Sequence, residues 1–291
     1  MKKIHLLIID AQNDFCKAPN KALGDLMLQA NNGVSTPEIE STFAGGALFV
    51  PGADQDSALL ANMITRLESK IHDISKTMDS HHEVDIAHPI MYIDSNGNHP
   101  APFTIITEDD FDNGTWTTTN PGCRKKVKAY LAALTANNRY PLCVWPPHCI
   151  IGTTGHAVVE PVRLALQSWC RNRFKKVDFV TKGSNIFTEH YSAVKADVPD
   201  PSDPTTMLNT DLLDILSEAD EVPISGQALS HCVANTVMDI ADNFGEENIK
   251  KLVLLEDTCS NVPGFEQLGT DFVANMKNRG MRSSTSVDYL S

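Results

Sequence analysis

The sequence is short of basic residues, of long apolar runs and of ordered cysteine pairs, and each shortage excludes something. Lysine and arginine number 24 against 37 aspartates and glutamates, a formal charge of -13. Nucleic acid and anionic membranes both need a basic face, so neither is an expected partner. No apolar stretch approaches the ~18 residues of a membrane span. The 7 cysteines are scattered without paired spacing, which fits a reducing compartment better than a disulfide framework. Internal repeats, low-complexity tracts and a composition shift marking a second domain are also missing. The opening "MKKIHLLIIDAQNDF" starts like a secretory signal, but Asp10 cuts the run short and no small-residue cleavage site follows. It reads as a first buried strand, and the expected location is cytoplasmic.

What is present is the composition of a soluble globular chain, with 42% hydrophobic and 21% charged residues in 291. Apolar runs of strand length alternate with helical periodicity, the pattern of a parallel sheet with crossover helices. Strands are expected at 4–9, 73–78, 177–181, 221–226, 251–256 and 281–286. Helices are expected at 55–70, 123–137, 158–173, 208–218, 232–244 and 264–279. Two regions resist the alternation, the polar and mixed 17–44 and the turn-rich 83–121. Long irregular segments of that kind are usually lids, substrate-proximal loops or oligomer contacts. One domain over 1–291 is expected, with insertions near 17–44 and 83–140.

Several residues stand where chemistry is usually done. Asp10 directly follows the first strand, at the carboxyl edge where open α/β sheets bind ligands, although a turn or cap residue would look the same. In "TMDSHHEVDIAHP", Asp79 and His81 alternate on an extended segment and so face one side. A carboxylate with imidazoles suits zinc, iron or manganese, and His148, fixed by Pro146 and Pro147, is a third candidate. Lys182 closes a strand, where it either lowers a nearby thiol's pKa or is merely solvated. Cys232 lies where the strand in "EVPISGQALSHCVANTVMDIADNFG" gives way to a helix. Helix N-terminal N–H groups would stabilise a thiolate there, but a small hydrophobe filling the junction is the plain alternative.

Taken in order, these pieces resemble the isochorismatase-like cysteine hydrolases, and within them the nicotinamidases. The matching stretches are "IIDAQNDF", "GGALFVPGAD", "DSHH", "WPPHCIIGTTGHAV", "TKGSN", "SGQALSHCV" and "LVLLEDTCS", which run from residue 4 to about 260. The resemblance implies a three-layer fold with a six-stranded parallel sheet flanked by helices. It implies a triad of Asp10, Lys182 and Cys232, with Phe15, Gln227 and Ala228 around the substrate and its oxyanion. It also implies one divalent ion, zinc first and iron or manganese as alternatives, on Asp79, His81 and His148. A cis peptide is implied at Gln227–Ala228. The implied reaction is hydrolysis of nicotinamide to nicotinate and ammonia through a thioester on Cys232. A relative acting on another small amide or ureido compound is the alternative, and a homo-oligomer is compatible with either. The complete triad argues against a non-catalytic binding protein. Three departures stand out: Ser80 replaces the usual aromatic, Leu229–Ser230–His231 replace Thr-Asp-Tyr, and the two insertions border the site. His231 reads as a surface residue, His88 as structural, and Cys149 as pointing away from His148 in an extended segment.

Overall fold

The first strand, β1 (Ile4–Ile9), is a continuous apolar run in which every residue is buried, which a strand needs only when both sheet faces are covered. In the computed structural model, which describes residues 2–291, it lies inside a six-stranded sheet. The other members are β2 (Ile71–Asp79), β3 (Asp178–Lys182), β4 (Val222–Gly226), β5 (Leu252–Leu255) and β6 (Arg282–Ser284). Their spatial order is 3-2-1-4-5-6, and every pairing is parallel. The order reverses between β1 and β4. Such a switch point opens a crevice at the carboxyl ends of the strands, where doubly wound folds bind ligands.

The covering helices follow the sequence periodicity. Helix α1 (Ala53–Arg66) buries Leu60, Met63 and Ile64 and packs on α3 (Glu160–Arg173), while α2 (Arg124–Ala136) buries Val127, Tyr130, Leu131 and Leu134. Helix α5 (Ala234–Phe244) packs against α4 (Thr210–Ser217) and α6 (Glu266–Asn278). All six expected strands and all six expected helices form, most shifted by one to three residues at an end.

The region 17–44 differs from its reading as irregular chain. It contains helices Lys21–Ala30 and Pro37–Ala44, the first capped by the Asn20 side chain, which accepts from the Leu23 N–H at 3.0 Å. Leu23 and Leu26 stay exposed there, so no buried stripe announces the helix. The region 83–121 is mostly turns and loops, with two-residue ribbons pairing Tyr92–Ile93 to Thr117–Thr118 and Ile105–Ile106 to Leu142–Cys143. Among the described residues no helix is long and apolar enough to cross a membrane.

Candidate active site and metal centre

Four adjacent strand ends deliver the chemistry. Asp10 follows β1 in the left-handed region at φ 43°, and Thr77 on β2 holds it twice. The Thr77 hydroxyl donates to Asp10 Oδ1 at 2.5 Å and accepts from the Asp10 N–H at 3.1 Å. Asp79 ends β2 and Lys182 ends β3, and the two are register partners. The Lys182 ammonium lies 2.9 Å from Asp10 Oδ2, 3.1 Å from Asp79 Oδ1 and 3.6 Å from Cys232 Sγ. Burial works against its charge, but Asp10 and Asp79 outweigh that and hold its pKa well above the ordinary lysine value. All four side chains are buried, so each charge is compensated within the cluster rather than by water.

Two glycines make this convergence sterically feasible. Gly226, at φ 125°, ends β4 where a Cβ would stand 1.8 Å from the Ile9 carbonyl oxygen. Gly183, at φ 86°, follows Lys182 where a Cβ would come within 2.9 Å of Asp79 Oδ1. Any side chain at either position would force strand ends apart.

Cys232 reaches the site from a π-helical turn, Leu229–Val233, immediately before α5. The Gln227–Ala228 peptide preceding that turn is cis. The expectation of a thiol eased toward ionisation by a helix start needs correction. Burial pushes the Cys232 pKa well above its ordinary value; Lys182 pulls it down, and Asp10 and Asp79 push it further up. The side chain of Asp10 lies within hydrogen-bond reach of the thiol.

Asp79, His81 and His148 present ligand atoms that all lie within 4.8 Å of one another, all buried. His81 Nε2 stands 3.1 Å and His148 Nε2 3.4 Å from the same oxygen, Asp79 Oδ2. The other ring nitrogens are spoken for: His81 Nδ1 meets Asp85 Oδ2 at 3.1 Å and His148 Nδ1 meets the Pro146 carbonyl at 2.9 Å. Anchoring Nδ1 in this way orients Nε2 toward a metal. Burial opposes charge on His81, yet Asp79 and Asp85 lift its pKa well above the ordinary imidazole value. Burial would raise Asp79, but His81, Lys182 and the imidazole hydrogen bonds hold it well below the usual carboxylate range. The pair favours positive charge between them, which a divalent ion would supply while releasing the proton. One carboxylate and two imidazoles suit zinc, iron or manganese. His88 is fully buried with its ring 5.3 Å from His81 and 5.7 Å from His148, its Nδ1 on the Glu83 carbonyl at 3.3 Å. Asp85 was not singled out in the sequence. Asp85→Asn is expected to weaken metal retention about 10- to 100-fold, read by competition against a chelator; unchanged retention would remove Asp85 from the site.

The "QNDF" stretch explains how the loops are held. The Gln12 side chain donates to the Asp79 and His156 carbonyls at 2.8 and 3.0 Å and accepts from the Asp79 N–H at 2.8 Å. Asn13 donates to the Thr154 carbonyl at 2.7 Å. Asp14 accepts from the Ala47 N–H at 3.0 Å and the Cys149 N–H at 2.7 Å. Phe15 then reaches the pocket, edge-on to His148 at 5.3 Å. The short segment thus clamps the "GGALF" and "HCIIGTTGH" loops to β2.

The pocket above Cys232 is walled by Phe15, Leu48, Trp145, Tyr191, Val262 and His231, with Asp79, His148, Glu189 and Ala228 also facing it. Its volume is about 20 Å³, room for about one water. Wider clefts of about 320 Å³ behind Lys182 and about 590 Å³ beside Arg139 contain neither the thiol nor the three-ligand group.

Several expectations change here. His231 is not on the surface: it is buried between Trp145 at 5.2 Å and Phe265 at 4.9 Å, and burial lowers its pKa to about 4. Gln227 does not line the pocket; its amide donates to Asp56 Oδ2 at 2.7 Å and accepts from the Ser260 N–H at 3.2 Å. Ser80 also turns away, with its hydroxyl 2.9 Å from His156 Nε2, because a strand alternates its faces and Asp79 and His81 take the inner one. Cys149, expected to point away from His148 in an extended segment, is buried and stands at φ 47°, outside extended backbone. Tyr191, Glu189, Leu48 and Val262 were missed, since nothing local in the sequence marks them.

No family model and no curated protein matches the chain. Solved structures do. A nicotinamidase–pyrazinamidase of Acinetobacter baumanii is 20% identical, with 99% of each chain covered and a TM-score of 0.60. The yeast nicotinamidase Pnc1p bound to the inhibitor nicotinaldehyde is 17% identical, over 97% of this chain and 99% of that one, at 0.60. The pyrazinamidase of Pyrococcus horikoshii in complex with zinc is 18% identical, over 97% and 99%, at 0.53. With its six parallel strands and flanking helices, the chain has the isochorismatase-like α/β fold of these nicotinamidase and pyrazinamidase structures.

Proposed function

We propose that the protein is a metal-dependent cysteine amidase that hydrolyses nicotinamide to nicotinate and ammonia. One observation carries the reading: a single buried ammonium, Lys182, contacts Asp10, Asp79 and Cys232, joining a nucleophile and its base to a three-ligand metal group. The nicotinaldehyde and zinc of the similar structures support the same substrate and ion.

Asp10 takes the thiol proton as Cys232 attacks the amide carbonyl, so charge moves between two groups already held by Lys182. Backbone N–H groups at Cys232 and Ala228 face the developing oxyanion, where each such donor is worth about 3 kcal/mol. Asp10 returns the proton to the departing nitrogen, ammonia leaves, and a thioester remains on Cys232. Asp10 then takes a proton from the water that attacks the thioester, which frees the acid and the thiol. Asp79, His81 and His148 would hold a divalent ion, which supplies Lewis acidity toward a ring nitrogen or a water. The aromatic walls at Phe15, Trp145 and Tyr191 suit a planar ring.

The test is ammonia release from nicotinamide with zinc, iron and manganese supplied in turn, and Cys232→Ala protein as control. Release that disappears in the control is the expected result. No release from folded, metal-loaded protein would remove nicotinamide and turn the search to other small amides and ureido acids.

A further inference from the structure

Glu189 is a carboxyl the proposed mechanism does not use, and burial pushes its pKa up to about 7, so an arriving N–H donor would favour its ionised form. It faces the pocket with Cys232 and His148 and is only 4% exposed. Its Oε1 accepts the His190 N–H at 2.9 Å, and its backbone N–H is held by Tyr130 Oη at 3.3 Å. Its Oε2 is buried with no hydrogen-bond partner among the described residues, and no ion pair reaches the carboxyl. A buried carboxyl oxygen left unmatched costs free energy, so a fold retains one where something arrives to match it. The adjoining wall is rigid and aromatic: the Trp145 indole N–H donates to Tyr191 Oη at 3.0 Å, and both rings pack on His231. A planar ligand held against that wall would present its edge to Glu189.

We propose that Glu189 is a specificity-determining residue that accepts a hydrogen bond from an N–H donor on the substrate's ring. The preferred substrates are then aromatic carboxamides that carry a ring amino group, with nicotinamide itself accepted more weakly. This rests on the amidase reading for its substrate class, but Glu189 can be tested by binding alone. A site built to match a polar group rejects an analogue lacking it far more strongly than an apolar pocket rejects a missing methylene.

The experiment measures binding of nicotinamide and of its amino derivatives, one isomer for each open ring carbon, to metal-loaded Cys232→Ala protein. The same series is repeated with Glu189→Gln and Glu189→Leu added, and ammonia release is followed in protein that retains Cys232. At least one amino isomer is expected to bind about tenfold tighter than nicotinamide, with the preference largely lost in both Glu189 variants. Glu189→Gln keeps the size of the side chain and its acceptor for His190, so it remains informative if the leucine variant folds poorly. An equal affinity for all isomers, or a preference that survives Glu189→Gln, overturns the assignment, even if nicotinamide is hydrolysed. Glu189-dependent binding without ammonia release from any amide upholds the assignment and overturns the amidase reading instead.

Discussion

Cys232→Ala is expected to reduce ammonia release at least about 10⁴-fold while leaving the fold and the metal group in place. The magnitude follows from the loss of the covalent route: nucleophile removal in enzymes of this logic costs about 10⁴ to 10⁶ in turnover, or roughly 5 to 8 kcal/mol of barrier. Structure survives because the change deletes one buried sulfur, which costs on the order of 1 kcal/mol. The metal group survives because Cys232 is not among its ligands. Turnover, metal content and thermal unfolding of the two proteins decide the matter. A variant retaining a tenth of the activity would end the thioester mechanism, whereas loss of metal together with activity would show that the cysteine acts structurally.

Lys182→Met combines a catalytic with a structural loss. Lys182 is the ammonium within reach of both Asp10 and Asp79, so its removal leaves two buried carboxylates near one another. Breaking a buried ion pair from one side costs about 3–5 kcal/mol, on the order of 10 °C in melting temperature for a chain of this size. Activity should fall at least about 10³-fold, because the thiol loses the one contact that lowers its pKa. Adding Asp10→Asn separates the two losses: the double variant should regain stability but not activity, since the asparagine removes both the stranded charge and the base. Recovery of turnover in the double variant would contradict the roles given to both residues. An unchanged melting temperature in the single variant would mean that the cluster is neutralised in another way.

The legible part of the fold was the part written in buried periodicity. Runs such as "IHLLII" and "KLVLLE" need no context, because a strand covered on both faces must be apolar throughout. The helix at 21–30 escaped because its sequence carries no buried stripe, with Gly24 its one buried residue and Leu23 and Leu26 facing solvent. Within the site, Asp10, Asp79, His81, His148, Lys182 and Cys232 were recognisable from their positions after strands and from motif order, and the fold brings them together. Thr77, Asp85 and Glu189 were not. Thr77 meets Asp10 from a distant strand, Asp85 meets His81 four residues away across an irregular turn, and Glu189 leaves one oxygen unmatched among the described residues; a linear reading shows none of these. His231 was misjudged for a similar reason: the aromatic residues that bury it come from residues 140, 145, 191 and 265.

Lys182 occupies β3, the outermost strand on its side of the sheet, joined to the rest only through its register with β2. Phe179 on that strand is 54% exposed, so little buried surface fixes the strand beyond Lys182 itself. A slip of one residue reverses every side chain of a strand, and here it would turn the ammonium outward while the other five strands kept their pairing. Being folded and being competent are therefore separate conditions for this chain. The ammonium that bridges Asp10 and Asp79 thereby also acts as the latch that fixes where the last strand docks.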